Sequence, residues 1–293
     1  MRLFLKVGVV LLPVLSALVL IRACSSGEAE RFRSWVAEVD PAAQVTWDAD
    51  GLIVIAPDRA WGAEAGASVI AYRAALVENY SDLLGTGRDE RMVVVLFSNM
   101  ESLQAYFDSQ DPFPRGPTAH PQGWTDPSEG AIYLPPESGF QTLKHETVHL
   151  LMGQARTQSV SHSPWLKEGL AQLFEVYEPD ADPPQPPGLG SNDRVALINM
   201  LIGADIDVMR LLEIDHYEDF VSHDVRRNYL EALALTAFLF EQRPREKLAE
   251  YIDLERRAAG PLARLRGFER IYDFSGEAFR ADLRAYLTEH SRR

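Results

Sequence analysis

Strand-like patterns in this chain of 293 residues all lie before residue 135, and the patterns after it are helical. Two short apolar runs flank an Asp-Ala-Asp-Gly segment and predict a hairpin, whereas a continuous β-branched run predicts a buried strand. The four predicted strands are Gln44–Trp47, Leu52–Ala56, Met92–Phe97 and Ala131–Leu134. We therefore expect residues 27–293 to form one α+β domain, with a small mixed sheet in its N-terminal half and a mainly helical C-terminal half.

Apolar residues at helical spacing predict one long helix, Trp61–Leu84, and a shorter helix through Leu103 and Phe107 that Ser98 would cap. Beyond the last strand the same spacing predicts helices at Thr142–Gln154, Pro164–Tyr177, Asp193–Ile202, Arg226–Gln242, Glu246–Arg257 and Glu277–Glu289. Two segments are rich in Pro, Gly or Asp and are predicted loops: Asp108–Trp124 and Glu178–Gly190.

The first 26 residues have the layout of an export signal. Arg2 and Lys6 precede a 15-residue apolar run, Val7–Ile21, which is shorter than the ~20 residues of a membrane span. The following Ile-Arg-Ala-Cys resembles a bacterial lipoprotein cleavage box ending at Cys24, although Arg22 departs from that pattern. A lipidated cysteine, an uncleaved signal anchor and a cleaved secretory peptide remain as alternatives. Each exports the rest of the chain to the cell envelope, and the first two leave it attached to the membrane.

Charge and cysteine content argue against two classes of protein. The net charge of −14 repels phosphate backbones and disfavours nucleic-acid binding. A single cysteine, Cys24, rules out an intrachain disulfide framework.

The segment His145-Glu146-Thr147-Val148-His149 is an HExxH motif on a predicted helix. Residues four apart share one helix face, so His145 and His149 can bind one metal ion. Neutral imidazoles suit zinc, which lowers the pKa of a bound water to about 7. Glu146 lies about 100° further around the helix, where its carboxylate can take a proton from that water. The alternative is a helix with two solvated histidines.

A third metal ligand is available on the next predicted helix. Eighteen residues separate His149 from Glu168, and Pro164 is a favourable first residue for the helix that carries Glu168. Two helices joined by a short loop can bring this carboxylate to the histidine face, which leaves one coordination position open, as a catalytic zinc requires. The alternative is a solvent-facing carboxylate paired with Lys167.

The segment from His145 to Glu175 resembles the active site of gluzincin metallopeptidases, which combine HExxH with a glutamate on the following helix. The spacing, Gly153 and the run Trp165-Leu166-x-Glu168-Gly169-x-Ala171 resemble the aminopeptidase branch, and the helical tail resembles minimal "peptidase MA-like" domains. The resemblance implies a zincin-like fold, Zn²⁺ held by His145, His149 and Glu168, and Glu175 as support for a ligand histidine. In the aminopeptidase branch an Asn usually follows the glycine that Gly153 matches, and here Gln154 replaces it. The G-x-M-E-N strand of that branch is also absent, so aminopeptidase activity is not implied.

Gluzincins place a tyrosine or histidine where it stabilises the oxyanion of the reaction. Tyr229 follows Glu168 at an interval close to the one usual in that family. A tyrosine that only packs in the core is the alternative, and His216 and His223 are rival donors. His120 and His162 are expected at the surface. We expect a zinc metallopeptidase that acts on a peptide or protein substrate, with Glu146 as general base and Tyr229 as a donor. The alternatives are a non-catalytic zinc-containing envelope binding protein and a metal-free helical interaction protein.

Overall fold

The computed structural model describes residues 27, 29–86, 91–109, 123–154, 162–182, 184–190, 206–222, 224–258, 260–274 and 276–290. The predicted export segment, the predicted helix Asp193–Ile202 and the residues His120 and His223 lie outside them. Within the described residues, no helix combines the length and apolar character needed to cross a membrane.

A mixed sheet lies in the N-terminal half, as predicted, and it has five strands. Its strands are β1 (Gln44–Ala49), β2 (Leu52–Ala56), β3 (Met92–Leu96), β4 (Trp124–Asp126) and β5 (Ala131–Leu134). They lie in the order β1-β2-β3-β5-β4, with β2, β3 and β5 parallel and both edge strands antiparallel to their neighbours. The predicted hairpin is confirmed: Ala49 pairs with Leu52 across a two-residue turn. Asp50 and Gly51 both have positive φ there, as an Asp-Gly hairpin turn requires.

Eleven helical segments accompany the sheet in the described residues. The first three are α1 (29–37), α2 (Arg59–Leu84) and α3 (Met100–Ser109). After a 3₁₀ turn at Pro136–Ser138 come α4 (Gly139–Gln154), α5 (Pro164–Glu175), α6 (Val208–Glu213), α7 (Tyr217–Ser222), α8 (Val225–Gln242), α9 (Arg245–Glu255), α10 (Pro261–Tyr272) and α11 (Gly276–His290). The fold is therefore α+β, and in the described residues after β5 the only strand-like pairing is one bridge, Glu178 with Gln185.

The central strands are apolar on both faces because both faces are covered. Alternate side chains, such as Ile53 and Val93, pack with α1 and α3, while Val54 and Val94 pack with α2 and α4. A third cluster joins α4, α5 and α8 to the later helices. The continuous β-branched run of β3 is thus a buried strand, as its sequence indicates.

Two local predictions are wrong, and the helices α1, α6, α7 and α10 were not predicted. Asn99, and not Ser98, caps α3, because its side-chain oxygen accepts from the Ser102 N–H at 2.8 Å while the Ser98 hydroxyl donates to Asp40 at 2.8 Å. Strand β4 lies partly in the segment predicted as a loop, and three residues are too few to show an alternating pattern. The six-residue helices α6 and α7 are too short for helical periodicity.

Candidate metal centre

Helix α4 presents the two histidines of the HExxH motif on one face. It packs against β4, β5 and α2, which bury its apolar side. The Nε2 atoms of His145 and His149 lie 3.1 Å apart, so both imidazoles point to the same position. This convergence follows from the four-residue spacing on a regular helix.

Helix α5 brings Glu168 to the same position. Its Oε2 atom lies 3.3 Å from Nε2 of His145 and 3.5 Å from Nε2 of His149. Glu168 is buried, so this carboxylate does not face solvent. The alternative interpretation, a solvent-facing carboxylate at Glu168, is therefore wrong.

The three donor atoms fit one metal ion. Ligands of a tetrahedral zinc ion, each about 2.0–2.2 Å from the metal, lie about 3.3–3.6 Å apart. The observed separations are 3.1, 3.3 and 3.5 Å. Two imidazoles and one carboxylate also match the donor set of catalytic zinc sites with an open fourth position. In the part of the chain that the structure describes, no other group of histidine, cysteine or acidic side chains converges in this way.

Electrostatics favour an ionised carboxylate at Glu168. Burial alone would raise the pKa of this group, but the charge of His149 and hydrogen bonds with His145 and His149 hold it well below its usual range. A buried anion beside two imidazoles is an arrangement that a divalent cation stabilises.

Glu175 lies behind His145. Its Oε2 atom is 3.0 Å from Nδ1 of His145, on the ring side opposite the converging Nε2 atom. A carboxylate there accepts the Nδ1–H proton, which keeps Nε2 unprotonated and available to a metal. Glu175 follows Glu168 by seven residues, about two helical turns, so both side chains lie on the same face of α5.

Two glycines of the motif region mark close contacts between elements. A Cβ atom on Gly169 would lie 2.1 Å from Oγ1 of Thr236 and 2.7 Å from the Ala232 carbonyl oxygen, both on α8. A Cβ atom on Gly153 would lie 2.5 Å from Cβ of Pro127. The glycines thus allow α5 to approach α8, and α4 to approach the β4–β5 turn.

The start of α5 is tied to α9 by a buried carboxylate. The Ser163 N–H and hydroxyl each donate to Glu255 at 2.7 Å, and the Tyr251 hydroxyl donates to it at 2.8 Å. The prediction that His162 lies at the surface is wrong: this residue, next to Ser163, is 5% exposed. A single polar residue carries no sequence signal for such burial.

Tyr229 lies at the start of α8, partly buried against the helical core. Burial, and next the charge of Glu168, raise the pKa of its hydroxyl, and Glu146 adds to this effect. The hydroxyl therefore stays protonated at neutral pH. It also shares a 2.8 Å hydrogen bond with the hydroxyl of Tyr217 on α7. Tyr217 was not predicted as a site residue, because a six-residue helix shows no periodicity. His216 beside it is exposed, as expected.

Glu146 is buried, and Thr125 of β4 contacts it. The Thr125 hydroxyl lies 2.6 Å from Oε2 of Glu146 and 3.2 Å from its backbone carbonyl oxygen. This threonine was not predicted either, because the three residues of β4 are too few to show an alternating pattern.

The candidate site lies in a segment that matches a protein family of unknown function. Residues 140–262 match a family described as "Protein of unknown function (DUF1570)", and this segment is less than half of the chain. It contains all six residues predicted for the site: His145, Glu146, His149, Glu168, Glu175 and Tyr229. No curated protein matches the chain.

Proposed function

We propose that this protein is a zinc-dependent metallopeptidase of the gluzincin type that hydrolyses peptide bonds in the bacterial cell envelope. The observation that carries the proposal is the convergence of His145, His149 and Glu168, whose donor atoms lie 3.1–3.5 Å apart. The resemblance of this segment to gluzincins supports it, since the matching residues include those in contact here.

Zinc at such a site lowers the pKa of a bound water to about 7 and polarises the carbonyl group of a substrate. His145, His149 and Glu168 would hold the ion, and Glu175 would orient His145 through Nδ1. The carboxylate of Glu146 accepts the proton that the attacking water loses, as the general base of the reaction.

Tyr229 would donate its hydroxyl proton in a hydrogen bond to the oxyanion that forms on the substrate carbonyl. A tyrosine hydroxyl keeps its proton at neutral pH, and burial raises the pKa of this one further, so it is available as a donor. A donor aimed at developing charge lowers the barrier more than it strengthens substrate binding.

The decisive experiment compares wild type with Glu146→Gln. We expect zinc in both proteins and cleavage of a peptide library by wild type alone, because the amide cannot accept the proton. Glu101→Gln, an exposed glutamate on α3, is the matched control and retains activity. Zinc binding without cleavage by wild type would favour a non-catalytic envelope binding protein, whereas absence of zinc would leave a metal-free interaction protein.

Location in the cell envelope is the second part of the proposal. Residues 1–26 would export the chain, and the membrane would retain it through Cys24 or the apolar run. Fractionation should find the full chain with membranes and a chain that starts at Glu28 in the aqueous fraction. Mass spectrometry of Cys24 distinguishes lipidation from a signal anchor.

A further inference from the structure

We propose that Thr125 is a positioning residue that holds the carboxylate of the general base Glu146; this inference rests on the proposed function. The Thr125 hydroxyl lies 2.6 Å from Oε2 of Glu146. A hydroxyl has one proton, and a carboxylate oxygen at short distance is a stronger acceptor than the backbone carbonyl at 3.2 Å. The hydrogen bond therefore restricts one carboxylate oxygen and leaves the other able to accept a proton.

The strand that carries Thr125 is itself well anchored. Residue 125 pairs with Ile132 of β5, and the neighbouring Trp124 points to the opposite face of the sheet, where its ring packs 5.9 Å from that of Phe107. Because side chains alternate along a strand, Trp124 in the core directs Thr125 towards α4. The hydroxyl is thus held by the sheet and not by a mobile surface loop.

Gly123 gives independent evidence that this strand is fitted to Glu146. A Cβ atom there would lie 3.0 Å from Cγ of Glu146 and 2.9 Å from Cγ2 of Thr142. Gly123 immediately precedes β4, and Thr125 is the middle residue of that strand. One of them leaves space for the Glu146 side chain and the other binds its carboxylate.

Thr125→Val tests the role of the hydroxyl, because valine has nearly the same shape but cannot donate. A general base contributes about 10²–10⁴-fold to a rate, and a misplaced group loses part of this. We expect kcat to fall about 10- to 100-fold with little change in KM. Zinc content should remain at the wild-type level, and Thr125→Ser, which keeps the hydroxyl, should recover most of the kcat.

Thr142→Val is the matched control. This residue lies one turn before Glu146 on the same side of α4. Its hydroxyl donates to the Ser138 carbonyl at 2.7 Å. We expect this variant to keep the wild-type kcat. A similar loss in Thr142→Val and Thr125→Val would attribute the effect to general disturbance of α4 and overturn the proposal.

Crystal structures of wild type, Thr125→Val and Thr125→Ser give a readout that does not depend on activity. The Glu146 carboxylate should keep its position in the serine variant and leave it in the valine variant. An unmoved carboxylate with full turnover in Thr125→Val would overturn the inference. If wild type cleaves no peptide, the proposed peptidase function fails, and the movement of Glu146 still decides whether Thr125 holds it.

Discussion

Tyr229 is the residue whose two interpretations differ most, because its ring packs with the helical core while its hydroxyl makes a hydrogen bond to the exposed Tyr217. The two hydroxyl oxygens lie 2.8 Å apart. A tyrosine that serves only packing does not require that placement.

Tyr229→Phe separates the two interpretations. Loss of one oxyanion donor lowers kcat by about 10²–10³-fold with little change in KM, since the hydrogen bond forms mainly in the transition state. The melting temperature should change little, because phenylalanine keeps the packed ring. Tyr272→Phe, in the buried helical core, is the matched control with wild-type kcat. A Tyr229→Phe enzyme at full rate, destabilised by about 0.5–1.5 kcal/mol, would assign this residue to packing.

Glu175 should affect the metal and not the fold. We expect Glu175→Ala to weaken zinc affinity about 10- to 100-fold, because His145 loses the acceptor that fixes its Nδ1 proton. Competition with a chelator of known affinity measures the change. Glu178→Ala, an exposed glutamate just beyond α5, should bind zinc like wild type. Equal affinities in all three proteins would remove Glu175 from the site.

At the scale of elements, α5 is the helix on which the site depends. Leu166, Leu170 and Phe174 form the apolar stripe that its sequence predicts. The opposite face, with Glu168, Gln172 and Glu175, is buried as well. These polar residues are covered because α5 packs against both α4 and α8. Glu168 and Glu175 contact the histidines of α4, whereas Gln172 donates to the Tyr229 carbonyl of α8.

Gly169→Ala tests the contact between α5 and α8. The added methyl group would lie 2.7 Å from the Ala232 carbonyl oxygen, and backbone cannot move away as a side chain can. We expect a loss of about 1–3 kcal/mol in the free energy of unfolding and weaker zinc binding, since Glu168 moves with α5. Urea denaturation and zinc titration measure both. In Gly276→Ala the new Cβ meets only the flexible end of Arg280 at 3.3 Å, and both values should stay near wild type.

At the scale of the whole molecule, the site joins three parts of the fold. The sheet contributes Thr125, α4 contributes the HExxH residues, and the helical core contributes Glu168 and Tyr229. Helices α4 and α5 already share the third hydrophobic cluster, and a metal ion bound by both would add a further link between them, so its removal should reduce the stability of the chain.

Removal of zinc should lower the melting temperature. A ligand present at 100 times its dissociation constant stabilises the folded state by about 2.7 kcal/mol, which corresponds to about 5–10 °C for a domain of this size. Scanning calorimetry before and after chelation measures the shift, and elemental analysis should find one zinc per chain. His149→Ala should lose both the zinc and the response to it, whereas His216→Ala, at an exposed histidine, should retain both. Undiminished zinc in His149→Ala would contradict the ligand assignment.

The strands and the principal helices could be predicted because their signals are local. Each signal lies within a few residues of the chain: the β-branched run of β3, the Asp-Gly turn after β1 and the four-residue histidine spacing on α4. Some elements that were not predicted are too short to show a period, such as β4 and α7, and the cap of α3 is a neighbour of the expected residue. Helix α10 has twelve residues, so its length does not explain why it was not predicted.

The sequence by itself determined the α+β class, the order of the elements and the candidate ligands, because apolar periodicity and motif spacing are properties of adjacent residues. Only the tertiary structure decided that Thr125 contacts Glu146, that Tyr217 pairs with Tyr229, and that Ser163 binds Glu255 across 92 positions. Each of these contacts joins side chains whose partners are chosen by packing between elements. A single polar residue in a strand or a short helix carries no pattern that reveals such a partner.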